Sequence, residues 1–383
     1  MEYPKEWKVK SFEQLFEFKN GVNSDKSSYG EGGVKFINVM EIIYHDYITF
    51  DMIPGAVKIR EDQKELYSVK NGDILFNRTS ETTNEIGLSA VYNGNGEVTF
   101  GGFVIRGRPK SNEINDDFKR YCFRSDYVRK QIIVRGQGAV RSNIGQADLS
   151  SVKVAIPPMI EQQKIATILI KWDELIESQT RLIKAKEKQK TSLMQKLLTG
   201  EVRFPGFEEE WKEYTLSDIA TITTGSSNRE DSSLDGEYTF FDRSQDIRTS
   251  SRYLFDKEAV IVPGEGQAFI PKYFEGKFDL HQRTYAIFDF KGVDGKFLYY
   301  FICKNDKHLL SQAVGSTVKS LRLPMFEEMP VLVPSIKEQK KIASILSSCE
   351  SELQSLKDEL DALKLQKKGL MQQLLTGKIR VKV

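Results

Sequence analysis

The chain has 383 residues and a mass of 43.8 kDa, enough for two or three domains of about 150 residues each. Hydrophobic residues make up 39% of it and charged residues 29%, with 23 Phe and 15 Tyr, which excludes both a disordered chain and a membrane-embedded one. Three scattered cysteines, Cys122, Cys303 and Cys349, exclude a disulfide framework and a CxxC metal or redox site. They favour a reducing, cytoplasmic location.

Motifs that several enzyme classes need are missing from the sequence. Three histidines cannot form HExxH, and neither a GxxxxGK[ST] phosphate loop nor a GxGxxG dinucleotide turn occurs. The Pro-Pro pair in Ile156-Pro157-Pro158-Met159 lacks the preceding Asn or Asp and the following aromatic residue of an amino-methyltransferase motif. No run approaches 18 apolar residues, so neither secretion nor a membrane span is expected.

Residues 1–156 are predicted to form a first domain of mixed α and β structure. Short apolar runs at 34–39 and 73–76 are separated by glycine and polar turns, which predicts strands, and 116–134 predicts a helix. Residues 104–141 contain ten basic and four acidic side chains. Two interpretations of the basic residues here stay open, DNA contact and a solvated helix face, and they concern Lys119, Arg120, Arg124, Arg129 and Lys130.

Residues 157–204 are predicted to form a long helix. Apolar residues recur at alternating steps of four and three from Ile165 to Leu197, which is a heptad pattern. The segment follows Pro157-Pro158 and ends in Leu-Leu-Thr-Gly, where Gly200 can take the left-handed conformation of a helix cap. About 40 residues at 1.5 Å each predict a helix of roughly 60 Å.

Residues 205–333 are predicted to form a second mixed domain, and residues 334–383 a second long helix. The second domain has apolar runs at 259–262 and 284–288, a predicted helix at 296–314, and an acidic balance of 15 basic against 21 acidic residues. The second heptad pattern runs from Ile342 to Leu374. A coiled coil between two chains is the alternative, but two copies in one chain favour intramolecular, antiparallel pairing.

An internal repeat relates the two halves of the chain. Residues 161–169 (EQQKIATIL) match 338–346 (EQKKIASIL) at an offset of 177, and 190–200 matches 367–377 at the same offset. Residues 6–21 match 210–225 at an offset of 204. The difference of 27 residues must therefore lie between Gly21 and about Gly138, in the region where the halves are otherwise unlike.

The twice-repeated blocks, with Val-Ala-Ile-Pro-Pro before the first helix and LMQKLLTG at its end, resemble the DNA-specificity subunit of Type I restriction-modification systems. The resemblance implies an α+β fold of two target-recognition domains joined by two long antiparallel helices with a pseudo-two-fold internal repeat. It implies that each domain reads one half of an asymmetric, bipartite, double-stranded DNA target. The helices are then the spacer and the docking surface for two methyltransferase subunits, and motor-nuclease subunits can join the complex. No catalysis and no cofactor are expected on this chain, with S-adenosylmethionine expected on the methyltransferase.

Base recognition needs Arg or Lys for guanine, Asn or Gln for adenine, and short polar side chains, presented on loops. Ordinary surface turns have the same composition, so that alternative stays open at every position. The candidates in the first domain are Asn77, Arg78, Thr79, Arg135, Gln137, Arg141, Ser142 and Asn143. The candidates in the second domain are Arg243, Gln245, Gln282, Arg283, Lys319 and Ser320.

Two further features of the second domain have a catalytic and a non-catalytic interpretation. Gly264-Glu265-Gly266-Gln267 could cradle a phosphate, but a lone GxG is a weak signal and Glu265 would repel an anion, so a tight turn near the DNA is favoured. His281 has no accompanying nucleophile or metal-ligand spacing, which favours a hydrogen-bonded or DNA-facing imidazole.

Two other function classes compete with DNA recognition. A nuclease or methyltransferase acting alone would need the missing motifs. A purely structural coiled-coil scaffold would not need polar, divergent loops on its domains.

Overall fold

The computed structural model describes residues 3–23, 29–138, 141–244 and 246–382, with the backbone alone at 29–31. The chain divides into two compact units: unit 1 is Met1–Gln179 with Glu359–Val383, and unit 2 is Thr180–Asp358. Each unit contains one globule of mixed α and β structure and one segment from each of two long helices. The predicted α+β class is confirmed.

The elements of the first half run up to the end of the first long helix. The strands are β1 (Lys8–Ser11), β2 (Phe16–Asn20), β3 (Tyr29–Ile37), β4 (Tyr47–Ile48), β5 (Ala56–Val57), β6 (Ile74–Asn77), β7 (Thr79–Ser80), β8 (Ser89–Tyr92), β9 (Val98–Phe100), β10 (Val104–Pro109), β11 (Ser142–Asn143) and β12 (Lys153–Ile156). The helices are α1 (Phe12–Leu15), α2 (Val39–Tyr44), α3 (Glu61–Leu66), α4 (Asp116–Cys122), α5 (Asp126–Arg135), α6 (Gln146–Ser150) and α7 (Met159–Leu197).

The second half also ends in a long helix. The strands are β13 (Lys212–Thr215), β14 (Thr221–Thr224), β15 (Ser232–Ser233), β16 (Tyr238–Phe241), β17 (Arg248–Ser250), β18 (Phe255–Pro263), β19 (Glu265–Gly266), β20 (Lys272–Leu280), β21 (Thr284–Phe288), β22 (Lys319–Ser320) and β23 (Pro330–Val333). The helices are α8 (Leu216–Ile219), α9 (Gly295–Lys304), α10 (Asp306–Gln312), α11 (Leu323–Glu327) and α12 (Ile336–Leu374). Among the described residues of this half, no α-helix lies between strands β14 and β21.

The two globules are built on equivalent sheets. Strands β2-β10-β6-β8-β4 form a five-stranded sheet in unit 1, and β14-β21-β18-β20-β16-β17-β15 a seven-stranded one in unit 2. A three-stranded sheet, β5-β3-β9, completes the first globule. The antiparallel pair β1·β12 joins the first and last strands of the first globule, and β13·β23 does the same in the second.

The predicted helices at 116–134 and 296–314 are each broken in two. Ser125 caps α5 by accepting a hydrogen bond from the Val128 amide at 3.5 Å, so α4 ends before it. Asn305, with φ −96° and ψ 23°, separates α9 from α10. An apolar pattern runs through both breaks, and for that reason the sequence alone did not indicate them.

The start of each long helix is part of a globule's core. Ile165, Ala166 and Leu169 of α7 are buried among the aromatic residues of the first globule. Ile342 and Leu346 of α12 take the same place in the second. The helices end as predicted, because Gly200 and Gly377 have φ values of 72° and 70°, which only glycine adopts without strain.

The two helix segments within each unit run antiparallel. In unit 1, Lys367 pairs with Asp173, and the Gln179 amide donates to Glu359 at 3.0 Å. In unit 2, Lys186 pairs with Glu352 at 2.6 Å and Lys190 with Glu350 at 2.7 Å. The polar breaks in the first heptad pattern, Gln179, Lys186 and Lys190, therefore bond to the other helix.

A repeated glutamine near the start of each long helix, Gln162 in α7 and Gln339 in α12, attaches the helix to its globule through hydrogen bonds. Gln162 accepts from the Asn115 amide at 2.8 Å and donates to the carbonyls of Glu113 and Pro157. Gln339 accepts from the Asp294 amide at 2.7 Å and donates to two carbonyls in the same way. Both halves therefore have glutamine at this buried position because each glutamine makes the same hydrogen bonds to its globule. Among repeated residues, only the exposed ones bear on partner docking.

Candidate nucleic-acid interface

Two short antiparallel strand pairs carry most of the predicted recognition residues. In unit 1, β7 pairs with β11, so that Thr79 faces Asn143 and Ser80 faces Ser142. In unit 2, β19 pairs with β22, so that Glu265 faces Ser320 and Gly266 faces Lys319. These two strand pairs are called the recognition ladders below.

Backbone hydrogen bonds show that the ladders are equivalent. The Ile144 amide donates to the Arg78 carbonyl at 3.0 Å, and the Leu321 amide donates to the Gly264 carbonyl at 2.8 Å. An adjacent bridge joins Gln137 to Asn143 in the first ladder and Val314 to Ser320 in the second. Glu265 therefore occupies the backbone position of Thr79.

A tight turn lies against each ladder. The Arg78 amide donates to the Phe103 carbonyl at 2.8 Å, and the Gly264 amide donates to the Arg283 carbonyl at 2.9 Å. The first turn, residues 101–103, is Gly-Gly-Phe, and the second, residues 281–283, is His-Gln-Arg. Phe103 and Arg283 hence hold the same backbone position and differ completely in chemistry.

In the first ladder, three predicted residues, Thr79, Asn143 and Arg141, form a connected polar group, and Arg78 lies beside them. The Thr79 hydroxyl donates to the Asn143 side-chain oxygen at 2.6 Å, and the Asn143 amide group donates to the Arg141 carbonyl. Arg141 is mostly exposed and pairs with Glu81 at 3.1 Å. Arg78 donates to the Gly102 carbonyl at 3.2 Å, which fixes its guanidinium against the turn.

Two of the eight residues predicted to contact bases in the first domain, Asn77 and Ser142, are buried. Asn77 is 0% exposed, and its amide donates to the Glu85 carbonyl while its oxygen accepts from the Thr79 amide. Ser142 is also buried. Asn77 therefore holds the loop in place, and the prediction of a base contact has to be corrected for both residues because neither offers an accessible surface.

Arg135 and Gln137 lie before the first ladder. The Arg135 guanidinium donates to the Ser151 hydroxyl and to the Gln131 carbonyl, both at 2.8 Å, at the end of α5. Gln137 is exposed, and its backbone exchanges two hydrogen bonds with Asn143 at 2.9 and 2.8 Å. Gln137 is thus placed beside the ladder with its side chain accessible.

In the second ladder, Glu265 is the centre of a charged group. It accepts hydrogen bonds from Arg283 at 2.8 and 3.0 Å and pairs with Arg243 at 3.6 Å. The predicted tight turn at Glu265 and Gly266 is in fact a short strand, because both residues pair with β22. Lys319 and Ser320 are half-buried on that strand.

Gln282 and His281 lie beside this charged group. The Gln282 amide donates to Asn228 at 2.6 Å, and the Arg283 amide donates to Nδ1 of His281 at 3.1 Å. Burial lowers the pKa of His281 below 6.5, although Asp242 opposes the shift. The imidazole is therefore a hydrogen-bonded, positioning group, as favoured from the sequence. Gln245 lies outside the described residues.

The basic residues between 119 and 130 are mostly structural. The Lys119 ammonium is buried and donates to the Gly72 carbonyl at 3.0 Å, and Arg124 donates to the carbonyls of Ser89 and Ile42 at 2.7 and 2.6 Å. Arg129 donates to the Ile86 carbonyl at 2.6 Å, and burial lowers its pKa to about 10. Arg120 pairs with Asp46 at 3.4 Å. Lys119 is buried, so both interpretations offered from the sequence, DNA contact and a solvated face, are wrong for it. Arg120, Arg124 and Arg129 are half-buried, which contradicts a fully solvated face, and Lys130 is exposed. DNA contact stays a prediction for these four residues.

Three residues that lie at the recognition ladders were not among the candidates from the sequence: Phe103, Met40 on α2, and Glu265. Phe103 and Met40 are apolar, and base recognition was sought among polar side chains. Glu265 was set aside as a residue that would repel an anion. The one sequence signal that could have found Phe103 is the pair of turns itself, since each follows one apolar strand and precedes another.

Comparison with known proteins gives the family. The family model described as Type I restriction modification DNA specificity domain matches residues 4–187 and 208–365, one match in each half. The chain belongs to this family. The two matches agree with the two globules and their equivalent ladders.

Relatives of this chain match it over its whole length or over about half of it. A protein assigned as the type I restriction enzyme MjaX specificity subunit of Methanocaldococcus jannaschii is 26% identical over 415 residues, covering 100% of this chain and 95% of the relative. The type I restriction enzyme EcoDI specificity subunit of Escherichia coli is 30% identical over 167 residues, which is 44% of this chain and 37% of that protein.

Solved structures share the fold. The S subunit of a Type I restriction-modification system from M. genitalium is 18% identical with a TM-score of 0.60, covering 96% of both chains. The HsdS subunit from Thermoanaerobacter tengcongensis is 14% identical with a TM-score of 0.54, covering 99% of both.

Two searches of the described residues found nothing. Within the ranges that the structure describes, no cluster of three or more His, Cys, Asp or Glu side chains is arranged to hold a metal ion. None of the described helices has the length and apolar character needed to cross a membrane.

Proposed function

We propose that this chain is the sequence-reading subunit of a Type I restriction-modification complex, in which each globule reads one half of an asymmetric, bipartite, double-stranded DNA target. The two globules share the backbone arrangement of their recognition ladders and differ in the side chains that the ladders present. A common scaffold with unlike surface residues suits the reading of two unlike half-sites.

The observation that carries this proposal is the equivalence of the two recognition ladders. At the same backbone positions, the first ladder has Thr79 with Phe103 and the second has Glu265 with Arg283. Arg pairs with guanine in the major groove, Glu accepts from cytosine, and Thr and Phe contact the thymine methyl group. The side chains at these positions thus suit an A·T pair in the first ladder and a G·C pair in the second.

Charge also supports a role inside a larger complex. Residues 205–333 have 15 basic and 21 acidic side chains, so the second domain has little general affinity for phosphate. Partner subunits would then supply most of the backbone contacts, while the ladders supply sequence discrimination. In this proposal, two methyltransferase subunits dock on the long helices, each with its own S-adenosylmethionine. Motor-nuclease subunits join them, and the chain itself is not catalytic.

The two competing function classes differ in a reconstitution experiment. The chain is co-expressed with its methyltransferase subunit, and the complex and each subunit alone are mixed with unmethylated genomic DNA and labelled S-adenosylmethionine. We expect methyl transfer to adenine from the complex only.

Two results would contradict the proposal. Methyl transfer or cleavage by the purified chain alone would make it an enzyme. A complex that forms but neither binds DNA in a mobility-shift assay nor transfers methyl groups would make it a scaffold.

A further inference from the structure

We infer that Phe103 is a specificity-determining residue of the first globule and contacts the 5-methyl group of a thymine in the first half-site. The inference rests on the proposed function and adds a residue and a base to it. It starts from an exposed apolar side chain at the edge of the first recognition ladder.

Phe103 is exposed although the first four residues of the strand that follows it are buried. Its side chain is 59% exposed, whereas Val104 and Ile105 are both 0% exposed. Met40, on α2, is 50% exposed. Both side chains line a cleft of about 320 Å³, together with Ile43, Thr79 and Arg141. An apolar surface thus lies directly beside the polar groups of the ladder.

The backbone holds Phe103 firmly in this position. Its carbonyl accepts from the Arg78 amide at 2.8 Å, and Arg78 also donates through its side chain to the carbonyl of Gly102. A Cβ atom on Gly102 would lie 1.9 Å from Oδ1 of Asn23, and one on Gly101 would lie 2.8 Å from the Phe36 ring. The two glycines therefore let the turn pack tightly, and the aromatic ring projects from a fixed base.

The second globule indicates what this ring faces. Arg283 holds the backbone position of Phe103 and forms a charged group with Glu265 and Arg243. Such a group suits the edge of a G·C pair, since Arg donates to guanine and Glu accepts from cytosine. If Arg283 faces a base edge, Phe103 faces one too, and the apolar feature of the major groove is the thymine methyl.

A protein partner on the same cleft is the alternative. The apolar part of the cleft is small, and polar ladder residues and the Arg141–Glu81 ion pair surround it. Stable protein interfaces bury on the order of 1,000 Å² or more. DNA is therefore the favoured occupant, and the experiment separates the two.

The test compares thymine with deoxyuridine, which lacks only the methyl group. The methylated sequence is first determined for the wild-type chain with its methyltransferase. Duplexes are then made in which each thymine of the first half-site is replaced in turn by deoxyuridine, and methylation rates are measured for the wild-type and F103A complexes. Leu66→Ala is the matched control, because Leu66 is 49% exposed and does not line the cleft.

We expect one deoxyuridine position to slow the wild-type complex by about fourfold, the effect of burying one methyl group. The F103A complex should not discriminate at that position, and the L66A complex should behave as wild type. Arg283→Ala should change recognition in the second half-site only.

Three results would overturn the inference. An unchanged thymine preference in the F103A complex would show that another residue contacts the methyl group. Unchanged specificity with reduced co-purification of the methyltransferase would make the cleft a protein contact. A wild-type complex that methylates no defined sequence would overturn the proposed function itself, and is distinguished because it appears before any variant is made.

Discussion

Tyr121 and Tyr300 attach the globules to the long helices through the same three-residue cluster. The Tyr121 hydroxyl donates to Asp173 at 2.7 Å, and Lys367 pairs with that carboxylate. The Tyr300 hydroxyl donates to Glu350 at 2.9 Å, and Lys190 pairs with Glu350. Burial and the neighbouring carboxylate raise the pKa of both tyrosines, so both hydroxyls stay protonated donors.

Removing one of these hydroxyls should destabilise its own unit. Tyr121→Phe deletes a hydrogen bond to a charged group, and we expect a loss of about 1–2 kcal/mol in the free energy of unfolding. Tyr300→Phe should do the same in unit 2. Tyr44→Phe is the control, because Tyr44 is 70% exposed. Urea unfolding measures the effect, and a Y121F midpoint equal to that of the control would contradict the role of the cluster.

His281 should make the stability of unit 2 depend on pH. Its pKa in the folded protein lies below 6.5, mainly because of burial, so the unfolded chain takes up the proton more readily. The contribution is fully present above about pH 6.5 and is lost as the pH falls towards the folded pKa. His281→Asn keeps an acceptor for the Arg283 amide but cannot titrate. Between pH 7.5 and 5.5 the wild type should therefore lose more stability than H281N, and equal losses in urea unfolding would contradict this.

Single residues show where sequence reasoning reaches its limit. Arg141, Gln137 and Arg283 were predicted on loops and are exposed at the ladders. Asn77 has the same kind of side chain and was predicted on the same grounds, but it is buried. Composition identifies a loop, whereas the direction of a side chain depends on the strand register, which is set by distant pairing.

The long helices were the most predictable elements. The heptad pattern, the prolines before the helices and the glycines after them are all local signals, and α7 and α12 each have 39 residues. The antiparallel pairing follows from two apolar faces in one chain. The ion pairs that fix the register, such as Lys186–Glu352, could not be assigned because any of several glutamates lies within reach by sequence alone.

Exposed lysines on α7 are predicted to bind the methyltransferase. Lys184 and Lys188 are exposed, whereas Lys186 and Lys190 pair with glutamates of α12. The double variant K184E/K188E should therefore weaken co-purification with the methyltransferase and leave the melting temperature unchanged. K186E/K190E, the matched control, should lower the melting temperature because it breaks both ion pairs. Full co-purification after reversal of all exposed helix charges would contradict the docking role.

The helices are also predicted to set the spacing of the half-sites. One heptad inserted into each helix adds about 10 Å at 1.5 Å per residue, or roughly three base pairs at 3.4 Å each. The gap in the methylated sequence should grow by that amount. The longer gap also rotates one half-site around the duplex relative to the other. Methylation should instead be lost if the DNA cannot untwist enough to turn both half-sites towards their globules. Full methylation at the original spacing, with the insertion confirmed as helical by circular dichroism, would contradict the prediction.

At the scale of the whole molecule, the sequence revealed the repeat at its conserved ends but not inside the globules. Equivalent backbone positions are 204 residues apart at Gly21 and Gly225, 186 apart at Asn77 and Pro263, 180 apart at Phe103 and Arg283, and 177 apart beyond Gly138. Most of the 27 extra residues, 18 by the difference between the offsets of 204 and 186, therefore lie between Gly21 and Asn77, in the stretch that contains α2 and α3, and the rest lie further along the first globule. The number of residues between equivalent positions changes along the chain, and the exposed side chains differ. A sequence alignment of the two halves therefore cannot pair the strands that are equivalent in the structure.

If the two globules read two unlike half-sites independently, exchange of one globule should change one half-site and leave the other as it was. Residues 22–143, which include both strands of the first recognition ladder, are replaced by the corresponding segment of another family member. Methylated sequences are then determined in cells that express the wild-type or the exchanged chain with the same methyltransferase. We expect an asymmetric, bipartite sequence for the wild type, and a change in one half-site alone after the exchange. A change in both half-sites, or an uninterrupted target for the wild type, would contradict it.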